Sequence, residues 1–237
     1  MSLKALLNAV AQILWYALAM KKNPLRLAVF DLDGTLVELD TEHFIDYSIE
    51  IIHEMGFTIH SREQIRELMR QHRLEFLFPE EQREKATAEY WRRFDPRRMP
   101  DPRVFDGALA TLEAMVARGC DLAIATARSQ SVDELREFLR PTGILTHVEF
   151  LSTWWNTSWV EKVEQLTHVC REHNVEPAAA LMAGDSAGDI RSARQVGFGL
   201  TIGLLTGAHS EEVLRAENPT YLANSIVEVP PIVERHF

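Results

Sequence analysis

The chain is 237 residues long, which is enough to bury a sizeable core as one large domain or as one domain with an insertion. Its formal net charge of −10 at pH 7 argues against binding along a nucleic-acid backbone, which needs a basic surface. The two cysteines, Cys120 and Cys170, exclude a disulfide framework and fit no metal-binding spacing, so we expect a reducing, cytoplasmic environment.

Residues 3–20 place apolar side chains along one helical stripe and predict an amphipathic helix within an N-terminal segment, 1–22. We favour an accessory helix that packs on the core or on a second subunit, and membrane-surface association is the alternative. A transmembrane span is not expected, because the run is amphipathic and shorter than about 20 apolar residues. A signal peptide is disfavoured, because the positive pair Lys21-Lys22 follows the apolar run instead of preceding it.

The first strand is predicted over 25–30, directly after the helix-breaking pair Asn23-Pro24. From 37 to 103 there is no convincing strand pattern, and Ser61 with Gln64 has the signature of a helix capping box. Helices are expected at about 41–55, 61–73 and 79–94. We therefore predict a helical insertion, 37–103, between the first strand and the rest of the sheet. A homodimer could form through this insertion or through the N-terminal helix.

From residue 104 onwards, short apolar runs alternate with helical patterns. Helices are expected at about 107–118, 130–140 and 159–173, and strands at about 121–125, 147–151, 180–183, 199–202 and 220–223. This alternation predicts a parallel sheet with right-handed crossovers, that is, a doubly wound α/β fold. Its core would comprise 23–36 and 104–237.

Polar side chains follow several of these strands. Asp31 and Asp33 come directly after the first strand, ahead of Gly34. The later sets are Thr126-Ala127-Arg128, Lys162 at the head of a helix, and Asp185 and Asp189 after the strand 180–183. Each has an ordinary explanation alone, as a helix cap, a surface lysine or a turn. Because ligands bind beyond the carboxyl ends of the strands in an open α/β sheet, the combination favours a site there.

This set of side chains suits phosphoryl transfer to an aspartate. We assign Asp31 as the nucleophile that forms an acyl phosphate, and Asp33 as the group that protonates the leaving oxygen and then activates water. Mg²⁺ is the expected cofactor, because a carboxylate that approaches a phosphate meets like charge. Asp31 and Asp185 fit as its ligands, with Asp189 binding the ion or orienting a ligand. The groups expected to neutralise the phosphate oxygens are Thr126, Lys162 and the backbone N–H groups near Gly34.

The chain resembles the haloacid dehalogenase superfamily of hydrolases, in particular its phosphoglycolate-phosphatase-like branch. The residues that carry the resemblance are Asp31-Leu32-Asp33-Gly34-Thr35-Leu36, Thr126, Lys162, Gly184-Asp185-Ser186-Ala187-Gly188-Asp189 and the Gly-Leu-Thr-Ile-Gly-Leu-Leu-Thr-Gly run at 199–207. The resemblance implies a Rossmann-like core and a mobile α-helical cap, 37–103, that selects the substrate. The second aspartate, Asp33, distinguishes phosphatases and mutases of this superfamily from dehalogenases.

The resemblance also implies a ligand set. The metal ligands would be Asp31, the backbone carbonyl of Asp33, Asp185 and Asp189, and the substrate or phosphate would be bound by Gly34, Thr126, Ala127, Arg128 and Lys162. Two motifs depart from the branch: Thr126 is followed by Ala127 and Arg128 where Thr-Asn is frequent, and Lys162 is followed by Val163 where Lys-Pro is frequent. Arg128 would either bind phosphate in bidentate fashion or lie at the surface of a helix start.

The sequence therefore predicts a Mg²⁺-dependent phosphatase that acts on a small phosphorylated metabolite, and it leaves the individual substrate open. One or two of the nine arginines at 62–98 in the insertion could bind a second anionic group of that substrate, and His43 and Tyr47 could line its pocket. A phosphomutase of the same superfamily and a non-catalytic protein with the same fold are the alternatives. A serine hydrolase built on the G-x-S-x-G turn at 184–188 is a third, but it leaves Asp31, Asp33 and Lys162 without a role.

Overall fold

The computed structural model describes residues 24–58, 60–155 and 162–237. The predicted N-terminal helix and the start of the predicted helix at 159–173 lie outside these residues. Within the described residues, no helix is both long enough and apolar enough to cross a membrane.

Six parallel strands form one sheet in the order β3-β2-β1-β4-β5-β6. They are β1 (Leu27–Phe30), β2 (Asp121–Ala125), β3 (Phe150–Ser152), β4 (Ala180–Gly184), β5 (Leu200–Leu204) and β6 (Tyr221–Ala223). In β1, Ala28 and Phe30 pack in one apolar cluster, whereas Leu27 and Val29 pack in another. Successive side chains of a strand point to opposite faces, so each face of the sheet is covered by its own cluster. The predicted doubly wound α/β fold is confirmed.

Each strand is followed along the chain by at least one helix. The α-helices of the described chain are α1 (Thr41–Glu54), α2 (Arg62–Arg70), α3 (Arg83–Arg93), α4 (Ala108–Ala117), α5 (Val132–Leu139), α6 (Lys162–Glu172), α7 (Ala187–Val196), α8 (Glu211–Ala216) and α9 (Val229–His236). Short 3₁₀ helices occupy Leu74–Leu77, Glu80–Gln82, Pro96–Arg98, Arg140–Thr142, Ile144–Thr146, Pro177–Ala179 and Ile226–Glu228.

Helices α1 to α3 pack against one another around a third apolar cluster, whose members include Ile45, Ile52, Ile65 and Tyr90. This cluster is separate from the two that cover the sheet. The two chain segments that lead into and out of these helices run side by side, since Glu38 N–H donates to the Arg103 carbonyl at 2.7 Å. The helices therefore have a core of their own and connect to the sheet through one paired neck.

The helices α7, α8 and α9 were absent from the sequence prediction. In α7, Ser186, Gly188 and Asp189 resemble a turn, but Ser186 and Asp189 form a capping box that starts the helix. In α9, two prolines stand in the first turn, where a missing N–H costs nothing. The predicted helix 61–73 ends at Arg70, and the strand expected at 147–151 is shifted to β3, because a 3₁₀ helix precedes it.

Candidate active site

The carboxyl ends of the central strands are level with one another. Phe30, the last residue of β1, pairs with Ile124 of β2 and with Ala183 of β4. The next residue, Asp31, donates its backbone N–H to the Ala183 carbonyl at 2.9 Å. Because the register is shared, the residues that follow the three strands emerge at one edge of the sheet.

Lys162 is the first described residue of α6, and its side chain reaches this edge of the sheet. Its buried ammonium lies 2.6 Å from Asp31 Oδ1 and 2.5 Å from Asp189 Oδ1. Burial alone would lower the pKa of Lys162, but Asp189 and Asp31 outweigh it and raise that pKa, so the side chain stays charged. Lys162 thus holds the carboxylates that follow β1 and β4 against each other.

Asp31, Asp185 and Asp189 form a buried cluster in which one ligand oxygen from each lies within 4.8 Å of the others. Burial, together with the charge of Asp189, raises the pKa of Asp31 to about 7, and Lys162 only partly offsets this. Burial and the nearby Asp31 raise the pKa of Asp185 as well. When ionised, three carboxylates and the Lys162 ammonium carry two net negative charges, which one divalent cation would balance. The donor set fits a hard divalent metal ion.

The three carboxylates are not equally available to such an ion. Asp189 Oδ1 accepts from Lys162, and its Oδ2 accepts from the Ser186 N–H at 3.0 Å and from the Ser186 hydroxyl at 2.7 Å. From the described residues, Asp185 accepts only long bonds, from the Thr35 hydroxyl and the Ala208 N–H, both at 3.3 Å. Both oxygens of Asp189 are therefore bonded to Lys162 or Ser186, whereas the oxygens of Asp185 are held more weakly.

Glycines make this close packing possible. A Cβ on Gly34 would lie 2.5 Å from Asp185 Oδ2, and Gly34 has a φ of +77°. A Cβ on Gly207 would lie 1.7 Å from the same oxygen. No side chain fits at either position while Asp185 keeps its place.

Asp33 and Arg128 form the second ion pair of the site. Arg128 donates from Nε to Asp33 Oδ2 and from Nη2 to Asp33 Oδ1, both at 2.7 Å, and from Nη1 to Gln130 at 2.8 Å. The guanidinium also stacks 4.2 Å from the centre of the Phe138 ring. Burial would lower the pKa of Arg128, but Asp33 raises it overall. In this structure the guanidinium is committed to Asp33, and its predicted contact with phosphate stays a prediction.

Thr126 and Ala127 follow β2 at the same edge. The Thr126 hydroxyl accepts the Arg128 N–H at 3.3 Å, and its proton has no acceptor among the described residues. Ala127 is exposed. Gln165 of α6, which sequence reasoning missed, is fully buried and donates to the carbonyls of Thr126 and Ser152 at 3.0 and 2.9 Å. A glutamine three residues after Lys162 gives no local signal for this role.

The loop at 205–210, between β5 and α8, was not predicted to belong to the site, although the run at 199–207 carried part of the family resemblance. Thr206 donates its hydroxyl to the Gly34 carbonyl at 2.6 Å, Ala208 donates to Asp185, and His209 Nδ1 accepts the Ala187 N–H at 3.0 Å. The sequence signals for this loop were the Thr-Gly pair that ends the run at 199–207 and the histidine that follows it at position 209. Ser186 donates its hydroxyl to Asp189 and not to a histidine, so the serine-hydrolase alternative lacks its general base.

Two cavities lie between α1 to α3 and the sheet edge. One, of about 270 Å³, is lined by Asp33, Arg128 and Phe138 and, from the insertion, by Asp40, Thr41 and Met99. The other, of about 350 Å³, lies between Arg66 and Arg70 of α2 and the loop 205–210. His43 and Tyr47 instead bond within the insertion, to the backbone of Arg98 and of Arg93 and Asp95. Most arginines of the insertion pair with surface carboxylates.

Comparison with known proteins identifies relatives over most of the chain. The sequence model of the haloacid dehalogenase-like hydrolases matches residues 28–202. A 5′-nucleotidase of Pseudomonas aeruginosa is 27% identical over 215 residues, which cover 88% of this chain and 95% of that protein. A phosphoglycolate phosphatase of Vibrio parahaemolyticus is 24% identical over 233 residues, with coverage of 90% and 98%. The crystal structure of a predicted phosphatase from Clostridium acetobutylicum shares the fold, with a TM-score of 0.71, 20% identity and coverage of 90% and 99%.

Proposed function

We propose that this chain, which belongs to the family of haloacid dehalogenase-like hydrolases, is a Mg²⁺-dependent phosphatase of small phosphomonoesters. The observation that carries the proposal is the buried contact of Lys162 with Asp31 and Asp189, next to Asp185 at the sheet edge. The names of the two curated relatives, a 5′-nucleotidase and a phosphoglycolate phosphatase, support the same reaction class.

The proposed reaction has two steps. In the first, a carboxylate oxygen of Asp31 bonds to phosphorus, the bond from phosphorus to the leaving oxygen breaks, and Asp33 donates a proton to that oxygen. For this step Asp33 must enter the cycle protonated, with one oxygen released from its two bonds to Arg128. In the second, Asp33 takes a proton from water, the water oxygen bonds to phosphorus, and the Asp31 carboxylate departs with the release of inorganic phosphate. Asp33 ends each cycle as it began.

The other residues stabilise charge in these steps. Lys162 and the Thr126 hydroxyl would donate to phosphate oxygens, together with backbone N–H groups beside Gly34, whose own N–H is bonded to the Val37 carbonyl at 2.8 Å. Asp31, Asp185 and the backbone carbonyl of Asp33 would hold Mg²⁺. When bound, the ion neutralises the charge between the phosphate and the attacking carboxylate.

We propose further that residues 37–103 act as the cap that selects the substrate. Support comes from their separate apolar cluster, from the paired neck at Glu38 and Arg103, and from the cavity of about 270 Å³ that opens beside Asp33. Because Asp33 lines this cavity and would protonate the leaving oxygen, the leaving group would lie in the cavity, whose volume suits a small alcohol. The first substrates to test are 2-phosphoglycolate and nucleoside 5′-monophosphates.

The test of the function is phosphate release from an aryl phosphate and from these two substrates, with Mg²⁺ and with EDTA. We expect Mg²⁺-dependent turnover that Asp31→Asn abolishes. Asp106→Asn, which changes an exposed aspartate outside the cluster, serves as the matched control and should retain full activity. Turnover that survives Asp31→Asn would refute the mechanism, and inhibition by a serine-directed phosphonate would point to Ser186 instead.

The role of Arg128 has its own test. Arg128→Lys keeps the charge but cannot hold both oxygens of Asp33, so we expect kcat to fall about tenfold with KM little changed. A rise in KM and weaker inhibition by inorganic phosphate, at unchanged kcat, would show instead that Arg128 binds the substrate phosphate.

A further inference from the structure

The loop 205–210 touches both the carboxylate cluster and the cap. On the side of the cluster, the Ala208 N–H donates to Asp185 Oδ2 at 3.3 Å, and His209 Nδ1 accepts the Ala187 N–H at 3.0 Å. On the side of the cap, the Ser210 N–H donates to the Arg70 carbonyl at 2.9 Å. Ala187 is two residues beyond Asp185, so the loop is hydrogen-bonded to the turn that carries this proposed metal ligand.

His209 connects these two sides through its ring. Its Nδ1 accepts the N–H of Ala187, so in the neutral imidazole Nε2 carries the proton. That Nε2 lies 3.0 Å from Nδ1 of His72, which follows α2 in the cap. Burial, with the adjoining His72, lowers the pKa of His209 to about 4, which keeps the ring neutral as this arrangement requires. One imidazole therefore bonds to the metal-binding turn and to the cap at once.

The backbone of His72 adds an independent observation. Its φ is +55°, in the left-handed region. The Arg73 N–H donates to the Leu68 carbonyl at 2.8 Å and the His72 N–H to the Met69 carbonyl at 2.9 Å, which is the pattern that closes a helix with glycine at this position. A histidine here bears backbone strain that glycine would avoid, and strain of this kind concentrates where a side chain has a functional task.

We propose that His209 is a positioning residue that couples docking of the cap to Mg²⁺ binding at Asp185, with His72 as its contact in the cap. This inference rests on the proposed function. Through Ala187, the His209 ring fixes the turn that presents Asp185, and His72 fixes the orientation of the ring. Coupling between two sites is reciprocal, so bound Mg²⁺ should also hold the cap more tightly to the sheet edge.

Titration calorimetry with Mg²⁺ alone tests the direct contact. Asn places an acceptor near the position of His Nδ1, whereas Gln places its polar group near the position of Nε2. His209→Gln should therefore lose the bond to Ala187 and weaken Mg²⁺ binding about 10- to 100-fold. His209→Asn keeps that bond and loses only the link to the cap, so we expect a fall of about fivefold. Equal affinities for His209→Gln and the wild type would overturn the proposal.

His72→Gly separates coupling from mere structural support. The substitution relieves the left-handed backbone, so the unfolding temperature in EDTA should stay the same or rise. Because the contact with His209 is lost, Mg²⁺ affinity should fall about fivefold, and the double variant with His209→Asn should be no weaker than His209→Asn alone. Loss of unfolding temperature and affinity together would show a structural role, and unchanged affinity would show no coupling. Either result overturns the proposal.

These measurements are independent of turnover. If the wild-type protein binds Mg²⁺ but releases phosphate from no phosphomonoester, the proposed function fails, while the affinities still decide the role of His209. If turnover is Mg²⁺-dependent and His209→Gln binds Mg²⁺ normally, the coupling fails and the proposed function stands.

Discussion

Replacing Lys162 with methionine isolates the central electrostatic contact of the site. Methionine keeps an unbranched apolar stem of similar length and removes only the charge. The Lys162 side chain is 7% exposed and its ammonium lies 2.6 Å from Asp31 and 2.5 Å from Asp189. Removing one partner of a buried ion pair costs about 3–5 kcal/mol, because the other charge is left without compensation. Lys162 compensates two carboxylates, so we expect the upper part of that range.

The assay is urea unfolding in EDTA at pH 8, where Asp31 is ionised because its pKa is about 7. Lys162→Met should unfold at a clearly lower urea concentration than the wild type. The matched control is Arg92→Met, which breaks a contact with Glu89 of the same length, 2.6 Å, at a side chain that is 70% exposed. Because solvent screens that pair, we expect no measurable change.

Lowering the pH gives a second check on the same reasoning. Without Lys162 the pKa of Asp31 should rise further, since the ammonium is one of the groups that lower it. At pH 5 Asp31 then takes up a proton, and a neutral carboxyl group needs no counter-charge. The difference between Lys162→Met and the wild type should therefore shrink from pH 8 to pH 5. Equal unfolding midpoints for Lys162→Met and the wild type at pH 8 would refute the argument.

Two further predictions concern the metal site. Since burial raises the pKa of Asp31 to about 7, Mg²⁺ must displace a proton from Asp31 below that pH. The Mg²⁺ affinity should therefore rise from pH 5.5 to pH 8, and calorimetry should detect the released proton. A pH-independent affinity would contradict this. Gly207→Ala would place a Cβ 1.7 Å from Asp185 Oδ2 and should weaken Mg²⁺ binding and lower stability by about 1–3 kcal/mol. In the control Gly188→Ala, the atom nearest to the new Cβ is a serine hydroxyl oxygen at 3.6 Å, so stability should rise by up to about 1 kcal/mol. Similar effects of the two alanine substitutions would refute the steric argument.

Several features of the fold were predictable because they depend on local patterns. The apolar run of β2 was predicted at its observed bounds, Asp121–Ala125, since a buried parallel strand is apolar on both faces. The helix α4 ends as expected, because Gly119 follows it with a φ of +81°. The helix α7 was missed, because Ser186 and Gly188 weaken the helical pattern. The capping box that starts this helix became evident only in the structure.

The placement of the candidate site residues was likewise predictable only in part. Asp31 and Asp185 could be expected at one edge from sequence alone, because each directly follows a strand and parallel strands end on the same side. The hydrogen-bond partner of a long side chain cannot be identified from the neighbouring sequence in this way. Arg128 bonds to Asp33, 95 positions away along the chain, whereas the sequence suggested a phosphate contact or an exposed side chain.

The sequence by itself determined the alternation of strands and helices, the family resemblance and the acidic residues at the strand ends, because these follow from short-range periodicity and from motifs of a few residues. Only the tertiary structure decided that Lys162 bridges Asp31 and Asp189, and that His72 meets His209 across 137 positions of the chain. Contacts of this kind depend on how the packed elements orient each side chain. That orientation is set by the whole core, and no local pattern of residues encodes it.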